Sequence, residues 1–115
     1  MQPHFALLAR YHAWATRKLY EHVRAMPEAD YRRDAGLFFR SVHGTLNHLL
    51  VADHCWFARF ARGESPLMAL DAELEPERSD LRAALLGAVG AWPSFVAGCA
   101  DERWASDLHY RRANG

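Results

Sequence analysis

Apolar positions recur at intervals of three and four residues along most of the chain, the spacing that collects side chains on one helical face. From about Pro3 to Ala25 the stripe is Phe5, Leu8, His12, Ala15, Leu19, His22 and Met26, which predicts a long first helix. Pro3 suits a first turn, where a missing N–H is harmless, and Pro27 ends the pattern because its ring clashes with the preceding turn. A polar connection containing Glu28, Asp30, Arg32, Arg33, Asp34 and Gly36 leads to a second pattern, from about Phe38 to Arg62. Its inner stripe is Val42, Leu46, Leu49, Asp53, Trp56 and Phe60, with Gly63 placed to cap its C-terminus. Glu64 to Arg78 holds two prolines and several acids without a sustained period and reads as a crossing loop. Ser79 or Asp80 is then placed to cap a third helix running to about Glu102, with Leu81, Leu85, Ala88, Trp92, Phe95 and Cys99 on one side and a kink at Pro93. The remaining WASDLHYRRANG is too short to decide between a brief strand and an irregular tail.

Three antiparallel helices point to an all-α bundle, and an odd count leaves an apolar strip that predicts self-association. At 115 residues the chain fits one helical domain spanning 1–115. Half the residues are apolar and 24 % are charged, the balance of a packed globular domain rather than a disordered one. Fourteen basic residues balance fourteen acidic ones, so the global basic field that non-specific nucleic-acid binding relies on is missing. Neither a run of about 18 apolar residues nor a charged start followed by an unbroken apolar stretch occurs, so the expectation is a cytoplasmic protein with no membrane partner. Cys55 and Cys99 lie far apart and form no CxxC pair, which makes free buried thiols the plain expectation.

Seven histidines are the more informative feature, because neutral imidazole is the commonest protein metal ligand. The segment Ser41 to Phe60 holds His43, His48 and the inward-spaced Asp53. His43 and His48 are five apart, about 140° around a helix, so they cannot share an ion as an i, i+4 pair does. His48 lies on the row Gly44, His48, Ala52 and Cys55, where an inward imidazole fits either a ligand or a satisfied core histidine. Asp53 on an apolar stripe needs a partner, for which Arg10, Arg17 or His12 is available on the first helix. His12 and His22 are separated by about 15 Å of helical rise and cannot hold one ion.

The opening YHAWATRKLYEHV, then FFRSVHGTLNHLLVADHCWFARF, a third helix and LHYR together resemble the DinB family over nearly the whole chain, most densely in HGTLNHLLVAD. The resemblance implies an up-down-down-up four-helix bundle, often dimeric, of which this chain covers about three helices. It also implies a divalent metal, nickel or zinc, on three histidines, one from the second helix and two from an HxxxH pair on the last. By the match the second-helix ligand falls on His48, with His43 near the mouth of the site, and His12 stands where relatives carry an asparagine. The chain departs from the pattern after Asp101, where His109 is the sole histidine and no HxxxH pair occurs. The activities implied are those of a metal-dependent hydrolase or thiol transferase acting on an unknown small molecule, in which the metal lowers the pKa of a bound water or thiol. The alternative is a non-catalytic dimerising helical module without a metal site, packed through Trp56, Phe57, Phe60 and Trp92. A pocket for an apolar small molecule between the helices is a third reading.

Overall fold

Ser41 lies in extended backbone and its Oγ accepts the N–H of Gly44 at 2.9 Å, so the long central helix starts at Val42. The expected start at Phe38 is therefore four residues early. Residues Ala35 to Arg40 instead form a tight turn: the Arg40 N–H donates to Leu37 O and the Ala35 N–H to Arg40 O, with Arg40 itself at φ 72°. Gly44 belongs to the same device, since a Cβ there would overlap the Phe39 carbonyl oxygen.

The computed structural model describes residues 2–114. In chain order the helices are α1 (Gln2–Val23), α2 (Glu28–Arg32), α3 (Val42–Arg62), α4 (Arg78–Gly90), α5 (Trp92–Ala97) and α6 (Asp101–Trp104). Among the described residues the extended pairing is confined to an isolated bridge between Leu37 and Arg40, so the chain is all-α as expected. Gly63 caps α3 at φ 64° with its N–H on Ala58 O, as its position predicted. The third long helix is broken rather than kinked. Pro93 lacks an N–H and stands in the first turn of α5, while the Ala91 N–H tightens back to Ala88 O. Neither Ser79 nor Asp80 caps α4, whose N-cap is Glu77 with no side-chain capping bond.

α4 is the element against which both α1 and α3 pack, and α5 continues along α1. Ala13, Tyr20, Val23, Tyr31, Leu46, Leu50, Leu81, Leu85 and Val89 form the main core. Burying each of its leucines stabilises the fold by roughly 1.5–3 kcal/mol. On α1 the buried row is Ala9, Ala13, Thr16, Tyr20 and Val23, one residue beyond the predicted stripe. That shift turns Leu8 and Leu19 outward, and both are more than 40 % exposed. A smaller cluster of Val51, Cys55 and Ala113, with Met68 against it, ties the tail to α3. The Met68 N–H donates to Ala113 O and the Arg111 N–H to Ser65 Oγ, so the tail is held without forming a strand. Cys55 and Cys99 are both free, Cys55 buried and Cys99 partly so.

Candidate functional site

The stripe expected to close the core of α3 faces an open cleft instead. Leu49, Asp53, Trp56 and Phe60 of α3 form one wall, and Phe5, Leu8 and His12 of α1 form the other. Leu85, Val89, Trp92 and Phe95 make the floor, and Trp104 of α6 closes one end by stacking on Phe5 at a ring separation of 4.4 Å. The cleft encloses about 730 Å³. Trp92 meets Phe57, Phe60 and Phe95 edge to face, which fixes the rings of the floor. The expected packing role of Trp56, Phe57, Phe60 and Trp92 is thus that of a rigid wall with one side left uncovered.

Polar chemistry enters at Asp53. Its residue is 8 % exposed, and its Oδ1 accepts from His12 Nε2 at 3.0 Å and from Trp92 Nε1 at 2.8 Å. Of the three partners proposed for Asp53, His12 is the one that meets it. Because the carboxylate can only accept, His12 carries a proton on Nε2, which in the neutral imidazole leaves Nδ1 as the acceptor nitrogen, the arrangement by which an acid orients a histidine base. His12 stays half exposed beside the cleft, where that nitrogen can take a proton from, or accept a hydrogen bond from, a bound molecule.

Two buried donors of the lining have no partner. Arg59 is 6 % exposed, with its guanidinium carbon 4.5 Å from the Trp56 ring and 4.6 Å from that of Tyr110. Its Nη2 donates to Arg111 O, yet its Nε finds no acceptor. Trp104 Nε1 is likewise buried without a partner. An unpartnered buried donor costs about 1–3 kcal/mol. Sequence reasoning missed both residues. A lone arginine and a tail tryptophan carry no spacing signal, and only the folded backbone brings both to the lining of one cleft.

His48 is not in this cleft. It is half-buried on the side of α3 facing the loop that joins α3 to α4, stacked on Phe39 at 3.9 Å, with Nδ1 donating to Leu70 O at 2.8 Å. The expectation that its ring points to the helical interior is corrected by the core itself, which takes Leu46, Asn47 and Leu50 from α3. The carbonyl bond leaves Nε2 of the neutral ring as its acceptor nitrogen, as in histidines that bind a metal through one nitrogen and hold a carbonyl with the other. His43 is buried and fully engaged. Burial raises the pKa of Tyr31 above its ordinary value, so its hydroxyl stays protonated and donates to His43 Nδ1 at 2.6 Å, while Nε2 donates to Glu73 at 3.0 Å. Asn47 completes the clasp, its amide donating to Glu75 O and accepting the Glu75 N–H. The described residues include no group of three His, Cys, Asp or Glu side chains placed around a common point. With His43 committed at both nitrogens and His12 turned to Asp53, they do not by themselves fit a divalent ion.

These features define an all-α domain with an open cleft and a polar clasp on its central helix. The DinB family's sequence model matches residues 1–110, and the chain belongs to the DinB family. No curated protein and no solved structure matches it. Among the described residues no helix is long and apolar enough to cross a membrane.

Proposed function

We propose that this DinB-family chain binds a small molecule in the cleft between α1, α3 and α4 to α6. The ligand class is an aromatic or otherwise apolar body bearing one hydrogen-bond acceptor, such as a carboxylate. The observation that carries the reading is the pairing of an aromatic-walled cleft of about 730 Å³ with unpartnered donors at Arg59 Nε and Trp104 Nε1. His12, held by Asp53, supplies the acceptor and the group able to move a proton. Equilibrium binding of 1-naphthoate tests this. Trp104→Phe keeps a ring to stack on Phe5 and removes one donor, so affinity is expected to fall on the order of tenfold. Equal affinity in wild type and variant would sink the reading.

The divalent metal, with its hydrolase or thiol-transferase chemistry, belongs to a second reading favoured by one observation, the free Nε2 of His48 behind a carbonyl-held Nδ1. Its other donors would come from a second copy of the chain. Leu7, Tyr11 and Trp14, exposed along the outer face of α1, give self-association a surface. Nickel or zinc near one per chain, lost together in His48→Ala, is the expected result of elemental analysis under this reading. Metal content unchanged by the substitution would dismiss it.

A further inference from the structure

At the opposite end of α1 from the cleft, α2 and the start of α4 close around a second concavity of about 430 Å³, sharing no lining residue with the first. Arg24, Arg32, Arg78 and Arg82 line it against Glu28 and Glu77, leaving two positive charges in excess. Glu28 occupies Arg32 and Arg78, and both pairs hold its carboxyl below the usual range. Arg78 is further committed, donating to Val23 O at 2.6 Å with its guanidinium carbon 4.0 Å from the Tyr31 ring. Arg24 and Arg82 form no ion pair among the described residues and are both exposed. Two further donor groups belong to residues of the lining. Tyr20 is 3 % exposed, and its hydroxyl is buried without a hydrogen-bond partner. Arg78 and Ser79 of the first turn of α4 also belong to the lining, and that turn has no side-chain cap, which leaves its N–H groups without a side-chain acceptor at the positive end of the helix dipole.

We propose that this concavity is an anion site for the phosphate group of a small phosphomonoester, held by Arg24, Arg82, the Tyr20 hydroxyl and the open first turn of α4. A dianion suits the two unspent guanidinium groups and accepts from both the phenol and the helix amides. The volume leaves room beside the phosphate for an organic substituent, which separates an ester from free phosphate. Bound ligand would also join the C-terminal end of α1 to the start of α4, beside the pair of Glu28 and Arg78.

Calorimetric titration of the full chain with glycerol 2-phosphate, which lacks the apolar body that the first cleft takes, and with inorganic phosphate, at low ionic strength, tests the site. Glycerol 2-phosphate is expected to bind more tightly, to weaken at higher salt, and to lose at least about tenfold in affinity when exposed Arg24 and Arg82 are changed together to Gln. Tyr20→Phe, which keeps the buried ring, is expected to weaken binding several-fold, and Ala52→Phe, confined to the other cleft, to leave it unchanged. Absence of binding by the wild type, or equal binding by the double variant, overturns the site. Tighter binding of inorganic phosphate overturns the assignment to an ester.

Discussion

Single side chains divide their work sharply between holding the fold and facing outward. Tyr20 has both roles, since its ring belongs to the core while the residue also lines a concavity with four arginines. Burial, with a smaller push from Tyr31, raises its pKa from 10 to about 12, against the pull of Arg82 and Arg78. A raised acid pKa means the folded state keeps its proton where the unfolded chain has lost it, so stability drops as pH rises. The contribution is whole below about pH 10 and falls away toward about pH 12. Urea midpoints across that window are expected to decline in the wild type and to decline less steeply in Tyr20→Phe, and parallel curves would contradict the assignment. Asp53 divides the other way, its one oxygen shared by His12 and Trp92 so that a buried acid both anchors the cleft floor and sets a histidine tautomer.

At the scale of elements, the richest stretch of the sequence, HGTLNHLLVAD, is the tool by which α3 grips the loop before α4. His43 reaches Glu73, Asn47 pairs with both backbone groups of Glu75, and His48 holds Leu70 O. Asn47→Ala is expected to cost about 1–3 kcal/mol, because it strands the part-buried backbone groups of Glu75. Hydrogen exchange at the Glu75 amide should then accelerate more than exchange in the Leu46 and Leu50 turn, and unchanged protection would refute the clasp. These partners were illegible in the sequence, since they lie more than twenty residues ahead in a loop without periodicity. The stops at Pro27 and Gly63 were legible, because each follows from local backbone chemistry, and so was a disturbance at Pro93, expected as a kink and found as a break. The start of α3 was not, because the turn that delays it depends on Arg40 adopting a positive φ, a conformation non-glycine residues seldom take. On α1, both His12 and Ala13 sit at helical spacing from other apolar positions, and only docking on α4 chooses the small-residue row Ala9, Ala13 and Thr16 for burial.

The whole molecule follows from that choice. Small residues let α1 approach α4, and the larger Phe5 and Leu8, with Leu49 and Trp56 across from them, are left as walls rather than filling. The apolar strip expected from an odd helix count is therefore an organised cleft with aromatic sides, an acid-oriented histidine and two donors without partners. Family membership agrees with the helical architecture, while the proposed metal site rests on His48 and on donors from a second copy of the chain. The central claim is that the cleft receives a ligand. The most direct measurement is a fluorescence titration with the uncharged apolar probe N-phenyl-1-naphthylamine, run on the wild type and on Ala52→Phe, which places a ring on the half-buried wall of α3. The account predicts saturable binding of about one probe per chain in the wild type, and its loss in a variant whose helical circular dichroism is unchanged. Equal binding by the two proteins, or none by the wild type, would contradict it.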